Sequence, residues 1–248
     1  VKKMIAAAKK AKKKLVIGFQ YRYAPQTEYL TTMRDAGMFG DIRFGRVWAL
    51  RRRGIPNWGV FGQKHLQGGG PMIDIGVHCL EMCHFTMGAP RPVAACGMAE
   101  TYMGNREDAA KIKTAWSNWD WKTYTVEDLA VGHIRFDNGA SLQIEFSWAS
   151  NVAEENVFIE LRGSKAGCYW NNQKPLRVFA EDSGALLDVS PKISPLPREG
   201  HGANLWHFVD VLKGRDEPTI RPEHGVHMIG ILTAMYESAQ TGKEVRLD

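Results

Sequence analysis

Long apolar runs and paired cysteines are both lacking in this sequence. No apolar stretch approaches the roughly 20 residues that a membrane-spanning helix needs, and the first fourteen residues are Lys-rich rather than apolar, unlike a secretory signal. The four cysteines, Cys79, Cys83, Cys96 and Cys168, include no C-x-x-C pair and are too sparse for a disulfide scaffold. We therefore predict no membrane partner and a reducing, cytoplasmic location.

The signatures of a nucleic-acid-binding protein are lacking as well. The net charge is +5, and much of the excess lies in Lys2–Lys14 and Arg51–Arg53. A nucleic-acid-binding surface and a solvated helix face followed by a basic strand end would both produce these clusters. We favour the second interpretation and predict no nucleic-acid partner, because no zinc-finger, helix-turn-helix or RNP pattern accompanies the charge.

Hydrophobic periodicity predicts an α+β fold that begins inside an α/β unit. Residues 1–11 have helical periodicity, and the short apolar run Leu15–Phe19 is typical of a buried strand. Together they predict the second half of a βαβ unit whose first strand is missing. Further helices are predicted at 26–36, 72–87, 203–213 and 224–241, and strands at 42–52, 93–102, 129–136, 141–149, 157–162, 166–170, 176–180 and 245–247. This order predicts a large mixed, mostly antiparallel open sheet with helices on one face.

The stretch Gly68–His78 joins a glycine-rich loop to an acid and an imidazole. On a helix, Asp74 and His78 would lie one turn apart on the same face. A carboxylate beside an imidazole can fix the ring and hold its pKa in the working range for proton transfer. The pattern therefore predicts Asp74 and His78 as catalytic residues. The alternatives are a packed core histidine and a first-turn acid favoured by the helix dipole.

The same helix is rich in side chains that can bind metals. The candidate ligands are Asp74, His78, Cys79, Glu81, Cys83 and His84. At about 100° per residue, however, His84 points well away from His78, and buried thiols behave as small hydrophobes. We predict no metal site here.

Residues with suitable chemistry for a polyol precede this helix. Asn57, Trp58 and His65 offer a ring face for stacking and groups that hydrogen-bond to hydroxyls, so we predict that they bind substrate. The alternative is a surface loop with a packed tryptophan. Arg51–Arg53 suit either an anionic substrate group or a solvated strand end. Three tryptophans at 116, 119 and 121 suit either a local cluster or a subunit interface.

Six segments of the chain resemble, in order, motifs of the Gfo/Idh/MocA family of NAD(P)-dependent oxidoreductases. They are Gly18–Pro25, Gly37–Ile42, Gly68–His78, Val126–Asp128, Phe136–Ala140 and Tyr236–Lys243. The resemblance implies a dehydrogenase that moves a hydride between a nicotinamide cofactor, NAD or NADP, and a hydroxyl carbon of a sugar or polyol. It also implies that residues 1–24 are a remnant of a dinucleotide-binding Rossmann domain and that residues 25–248 form a C-terminal α/β domain for substrate binding and oligomerisation.

The resemblance assigns roles to only part of the family's site. It carries Asp74 and His78 of the usual Lys/Asp/His set, and it implies that Arg22 lies near the nicotinamide. The family's lysine lies upstream of Val1, and no G-x-G-x-x-G phosphate loop is present in the 248 residues. We therefore expect this chain alone to bind a dinucleotide weakly and to be inactive. The alternative function is a cofactor-free module for carbohydrate binding or subunit assembly.

An open sheet with helices on one face predicts association through the other face. The predicted strands hold more large apolar side chains than a sheet with two solvated faces would carry. In the resembling family, this sheet face commonly packs against another subunit. We therefore predict a homodimer or homotetramer through the sheet. The residues behind this prediction are Phe136, Ile144, Phe146, Trp148, Phe158 and Leu161.

Overall fold

The computed structural model describes residues 1–247, which form a nine-stranded sheet with helices on one face. The helices are α1 (Lys2–Ala11), α2 (Pro25–Asp35), α3 (Lys64–Gln67), α4 (Val77–Thr86), α5 (Glu107–Ala110), α6 (Gly200–Leu212) and α7 (Pro222–Thr241). The strands are β1 (Ile42–Leu50), β2 (Pro92–Glu100), β3 (Leu129–Phe136), β4 (Ser141–Ser147), β5 (Asn156–Gly163), β6 (Ala166–Asn171), β7 (Lys174–Asp182), β8 (Ala185–Val189) and β9 (Val245–Arg246). A 3₁₀ turn covers Gln20–Tyr23, and a π-helical turn covers Met72–Gly76.

The sheet confirms the predicted fold class. Its strand order is β8-β7-β6-β5-β1-β4-β3-β2-β9. The central pair β1 and β4 is parallel, and every other neighbouring pair is antiparallel. The turn Asp137–Gly139 joins β3 to β4, where Gly139 takes the positive φ of 81° that a tight hairpin requires.

Alternation along the strands places the apolar core on the helix-covered face. Four of the six residues that suggested a surplus of apolar groups belong to this core: Phe136, Ile144, Phe146 and Leu161. Trp148 belongs to a second cluster beside the sheet. Phe158 alone lies on the opposite face, where its ring packs against Trp48 and Tyr169. The surplus argument was therefore wrong, because one buried face absorbs most of these side chains.

Two regions differ from the sequence prediction, because strand formation depends on neighbouring strands as well as on local sequence. Residues 13–19 follow α1 but belong to no strand, since none of the nine strands lies beside them to pair with their backbone groups. Strand β8 was missed because all five of its residues are exposed, so no buried face imposes alternation on the sequence. The other predicted helices and strands have the predicted type, while the short helices α3 and α5 were not predicted.

The cysteines behave as small core hydrophobes. All four are free, and Cys79, Cys83 and Cys168 are buried. Burial raises the pKa of Cys79 and of Cys168 to about 12, so these thiols stay protonated at neutral pH. No helix formed by residues 1–247 has both the length and the apolar character to cross a membrane.

Candidate active site

The glycine-rich loop before Asp74 is anchored by a buried carboxylate. Glu127 accepts the backbone N–H groups of Gly70 at 2.9 Å and Met72 at 3.2 Å, and the Tyr236 hydroxyl at 2.9 Å. A Cβ atom at Gly70 would lie 1.9 Å from the carbonyl oxygen of Glu127, so the close approach requires glycine. Glu127 therefore fixes the point at which the helical segment begins.

Asp74 lies in a π-helical turn rather than in the regular α-helix predicted for 72–87. The Gly76 N–H donates to the Pro71 carbonyl at 2.8 Å across five residues, which makes a wider turn than the α-helical one. Gly76 lies directly against the ring of Phe146, where a Cβ atom would approach to 2.4 Å. The wider turn changes the angular relation between Asp74 and His78, which lies in the first turn of α4.

Asp74 and His78 line the same cavity but do not hydrogen-bond to each other. The Asp74 Oδ2 atom instead accepts the indole N–H of Trp148 at 3.1 Å. The rings of Phe19 and Tyr21 pack edge-on against the imidazole, each with a centroid distance of 6.2 Å. The expectation that Asp74 orients the ring by direct contact is therefore not met: aromatic packing holds the imidazole, and Asp74 acts on it through its charge.

Burial dominates the protonation of both groups. It raises the pKa of Asp74, and this effect is opposed by the Trp148 hydrogen bond and by the charges of Arg51 and His78. It lowers the pKa of His78, and this effect is opposed by the charge of Asp74. The imidazole is consequently neutral at neutral pH and can accept a proton. Its Nδ1 atom is enclosed without a partner among the described residues, which leaves Nε2 as the nitrogen available to a ligand.

The cavity that contains this pair has a volume of about 320 Å³. Larger hollows of about 630 Å³ on the uncovered sheet face and about 660 Å³ beside α7 contain neither Asp74 nor His78, so we place the site in the smaller cavity. Its lining mixes aromatic, amide and charged groups, as small-molecule sites do. The lining includes Gln20, Tyr21, Arg51, Trp58, Phe61 and Trp116.

Only one of the three predicted substrate-binding residues lies in this cavity. Trp58 lines it, whereas Asn57 uses its amide N–H to bind the Ser117 carbonyl at 2.8 Å, and the exposed His65 lies outside on α3. Asn57 therefore joins two loops. Trp116 lines the cavity from the second loop. The sequence did not predict this, because Trp116 is far from Asp74 along the chain.

Two groups of residues had roles that the sequence left open: the arginines at 51–53 and the tryptophans at 116, 119 and 121. Each group has one member in the cavity and the others outside it. Arg51 lines the cavity, while the backbone N–H groups of Arg52 and Arg53 bind Glu155 outside it. Trp119 is buried in the second cluster beside the sheet, and Trp121 packs partly against that cluster. This part of the tryptophan-rich segment forms a local core.

Arg22 is enclosed in an ion pair. Its Nε atom donates to Glu81 at 2.7 Å, its Nη1 atom donates to the Thr219 carbonyl at 2.6 Å, and its Nη2 atom meets His224 at 2.8 Å. The guanidinium carbon also lies 3.9 Å from the centre of the Phe85 ring. The side chain is fully buried, so its role in this conformation is structural, and its position near a nicotinamide stays a prediction.

The described residues offer no cradle for the phosphates of a dinucleotide. The glycine-rich loop at 68–70 is the closest candidate, but its Gly70 N–H is already bound to the Glu127 carboxylate. A negative charge at this position opposes phosphate binding, which requires free N–H donors. The residues of this chain therefore fit the reacting end of such a site and not its phosphate-binding end.

Comparisons with known proteins agree with this geometry. A model of the oxidoreductase family's C-terminal alpha/beta domain matches residues 35–247. The D-glucoside 3-dehydrogenase of Escherichia coli (strain K12) is 31% identical over 247 residues, which cover 99% of this chain and 68% of that protein.

Two solved structures extend the comparison. The aldose-aldose oxidoreductase from Caulobacter crescentus, complexed with glycerol, matches with a TM-score of 0.75 and 23% identity over 98% of this chain and 67% of that one, which supports the fold. GenD2 from gentamicin A biosynthesis, in complex with NAD, matches with a TM-score of 0.73 and 25% identity over 100% of this chain and 67% of that one. The chain thus spans about two thirds of the length of each of these proteins.

The sequence motifs, the sheet and the matched family model point the same way. The motif Gly68–His78 forms the anchored loop and the cavity wall, and the motif Phe136–Ala140 forms the hairpin beside the centre of the sheet. The family model covers these motifs within a single α/β unit. The chain therefore belongs to the Gfo/Idh/MocA family of oxidoreductases, and residues 35–247 match its C-terminal α/β domain.

Proposed function

We propose that this chain forms the substrate-binding part of a sugar or polyol dehydrogenase that uses NAD or NADP. The observation that carries this proposal is a neutral, half-buried imidazole at His78, beside a carboxylate, within a cavity lined by aromatic and amide groups. The name of the Escherichia coli relative supports a sugar as substrate. The NAD bound to GenD2 supports a nicotinamide cofactor.

In this proposal, His78 is the general base. Its Nε2 atom accepts the proton of a substrate hydroxyl, and the nearby charge of Asp74 stabilises the imidazolium that forms. Trp148 holds the Asp74 carboxylate in place through its indole N–H. The rings of Phe19 and Tyr21 keep the imidazole from rotating away. The nicotinamide would supply the hydride acceptor when bound.

We also propose the division of the protein that the resemblance implies. Residues 1–24 would belong to a dinucleotide-binding domain, and residues 25–248 would bind substrate. The occupied Gly70 N–H supports this division, because the phosphates must find donors elsewhere. Titration of this chain with NAD or NADP in a calorimeter should show no binding at micromolar concentration, and tight stoichiometric binding would contradict the division.

The uncovered sheet face supports a homodimer or homotetramer. Strand alternation directs the half-buried Phe44 and Trp48 and the exposed Phe179 to this face among charged side chains. The indole N–H of Trp48 is enclosed without a partner among the described residues. Interfaces of this kind bury about 1,200–2,000 Å² in total. Light scattering at micromolar concentration should give a multiple of 27.8 kDa, and a monomer of that mass would contradict the proposal.

A cofactor-free carbohydrate-binding module is the second candidate function. The cavity supports it, because aromatic faces beside hydrogen-bond donors suit a sugar whether or not a cofactor binds. The two candidates differ in one assay: reduction of NAD or NADP by glucosides and polyols, using protein expressed from the complete open reading frame. Reduction of the cofactor that depends on His78 supports the dehydrogenase. Sugar binding without any reduction supports the module.

A further inference from the structure

The cavity continues from the catalytic pair to the surface along a wall of stacked side chains. Trp58 and Trp116 stack with their ring centroids 5.2 Å apart and their planes at 30°. The guanidinium carbon of Arg51 lies 4.9 Å from the centre of the Trp116 ring. All three residues line the cavity that contains Asp74 and His78. We call this wall, Arg51, Trp58 and Trp116, the tryptophan stack.

Packing connects the tryptophan stack to Asp74. Trp58 contacts Phe61 edge-on at 5.7 Å, Phe61 contacts Trp148 at 6.3 Å, and Trp148 donates to Asp74. The Asn57 amide also ties the loop of Trp58 to the loop of Trp116. Because these contacts are continuous, the position of the stack relative to Asp74 is set by the fold.

Exposure increases along this wall. Trp148 is 0% exposed, Asp74 and His78 are half-buried, and Trp58 is 55% exposed. Leaving an indole in water within a concave site is unfavourable unless a ligand covers it. The hydroxyl that reacts must lie against His78, so a group that covers Trp58 belongs to the part of the ligand beyond the reacting ring.

Arg51 adds polar recognition to this apolar wall. One of its N–H groups donates to the Gly54 carbonyl at 2.9 Å, and no carboxylate among the described residues pairs with it within 4.0 Å. A guanidinium has five N–H donors, so several remain for ligand oxygens. A ring face beside free donors suits a pyranose, which presents C–H groups on its face and hydroxyls at its edge.

We infer that the tryptophan stack is a subsite for the second sugar ring of a glycoside whose first ring is oxidised at His78. This inference rests on the proposed function and adds the substrate class: a disaccharide or larger glycoside rather than a free monosaccharide. Trp58, the more exposed of the two tryptophans, contacts the sugar ring, Trp116 supports it by stacking, and Arg51 donates to the hydroxyls of the ring.

Calorimetric titration of the chain with two pairs of neutral sugars tests this subsite. Methyl α-glucoside is compared with maltose, and methyl β-glucoside with cellobiose, so that both anomers are covered. The disaccharide of the favoured anomer should bind about three- to tenfold more tightly than its methyl glucoside. Equal affinities within both pairs would overturn the subsite while leaving the proposed function intact. Failure of all four sugars to bind would also overturn the subsite, whereas the proposed function is tested separately by reduction of NAD or NADP with the complete protein.

Replacing Trp58 tests whether the preference for the disaccharide comes from the tryptophan stack. The replacement is suitable because this exposed side chain contributes little to the core. Trp58→Ala should remove the preference for the disaccharide, because it should lower the affinity for the disaccharide more than the affinity for the methyl glucoside. Trp206→Ala is a matched control: Trp206 is 50% exposed and stacks with Arg198 at 4.1 Å, but it lies on α6 outside the cavity. An equal loss for both sugars in Trp58→Ala, or the same loss in Trp206→Ala, would contradict the subsite.

An anionic sugar distinguishes a second explanation for Arg51. If glucose 6-phosphate binds more tightly than the favoured disaccharide and Arg51→Met removes that advantage, the position binds an anion and the second-ring assignment is wrong. Binding of glucose 6-phosphate no tighter than that of the methyl glucoside supports the neutral subsite.

Discussion

The helical segment Met72–Thr86, made of the π-helical turn and α4, carries the same residue types in opposite settings along its length. Toward its amino end, Asp74 and His78 line a cavity. Toward its carboxyl end, Glu81 is paired with Arg22, and the fully buried His84 has its Nε2 atom 2.8 Å from the Pro90 carbonyl. An acid and a histidine therefore suggest proton transfer only where space for a ligand adjoins them. Where protein atoms fill that space, the same groups stabilise the fold.

The two histidines of this segment also differ in how easily they can be protonated. Burial lowers the pKa of His84 to about 3, because a charge there would be enclosed away from water. Burial also lowers the pKa of His78, but the ring borders the cavity and Asp74 favours its charged form. His78 can therefore exchange a proton with a ligand in the cavity, whereas His84 stays neutral inside the folded protein.

The largest effect on activity should come from His78→Ala at the amino end. Turnover of the enzyme should fall by about 10²–10⁴-fold, the range for loss of a general acid–base group. Thermal stability should change little, because a side chain at a cavity wall packs incompletely. Steady-state kinetics and a thermal melt check both parts. Full turnover combined with a poorly stable fold would show that His78 belongs to the core.

Arg22→Met tests the carboxyl end, where we expect a loss of stability instead. Removing the guanidinium leaves the Glu81 carboxylate buried without its partner, which should lower the free energy of unfolding by about 3–5 kcal/mol. Urea denaturation measures this change. Arg22→Met combined with Glu81→Leu should recover most of it, because no unpaired charge remains. A stable single variant that loses NAD-dependent turnover would support a cofactor role for Arg22.

His84 should make the protein less stable in acid. Its pKa is about 3 in the folded state and about 6.5 when unfolded. The unfolded chain therefore binds the proton first, and stability falls as the pH decreases from about 6.5 towards 3. The slope from this group is at most about 1.4 kcal/mol per pH unit. Comparison of unfolding free energies with those of His84→Gln isolates it, and parallel pH profiles would contradict the prediction.

Trp148→Phe should lower stability by about 1 kcal/mol for the lost hydrogen bond, with a further cost for the space left by the smaller ring, and it should change the pH dependence of activity. The indole N–H favours the charged form of Asp74, so its loss should raise the pKa of that carboxyl further and move the acidic limb of the kcat profile to higher pH. The matched control is Trp119→Phe, which loses a hydrogen bond to Gly104 in the same cluster. An equal shift in both variants would mean that Trp148 acts only through packing.

Local patterns predicted the elements, and long-range contacts decided the site. Alternation and hairpin signals identified most of the strands, because burial on one face leaves a direct trace in the sequence. Asp74 and His78 were predicted as catalytic from their spacing and the family motif, but the π-helical turn was not predicted, because it depends on Gly76 packing against Phe146. The resemblance placed Arg22 near the cofactor. Its pairing with Glu81 was missed because the two residues are 59 positions apart, a distance at which no local pattern reveals pairing.

The parallel pairing of β1 with β4 has a consequence for how the chain acquires its structure. Strand β1 lies between β4 and β5, which are consecutive in sequence, and its Arg46 pairs with Gln143 at a separation of 97 residues. The hairpins on either side can form from nearby residues, but the middle of the sheet depends on a strand synthesised long before its partners. Such non-local pairing slows folding. During synthesis, β1 therefore has no neighbouring strand to pair with until β4 has left the ribosome.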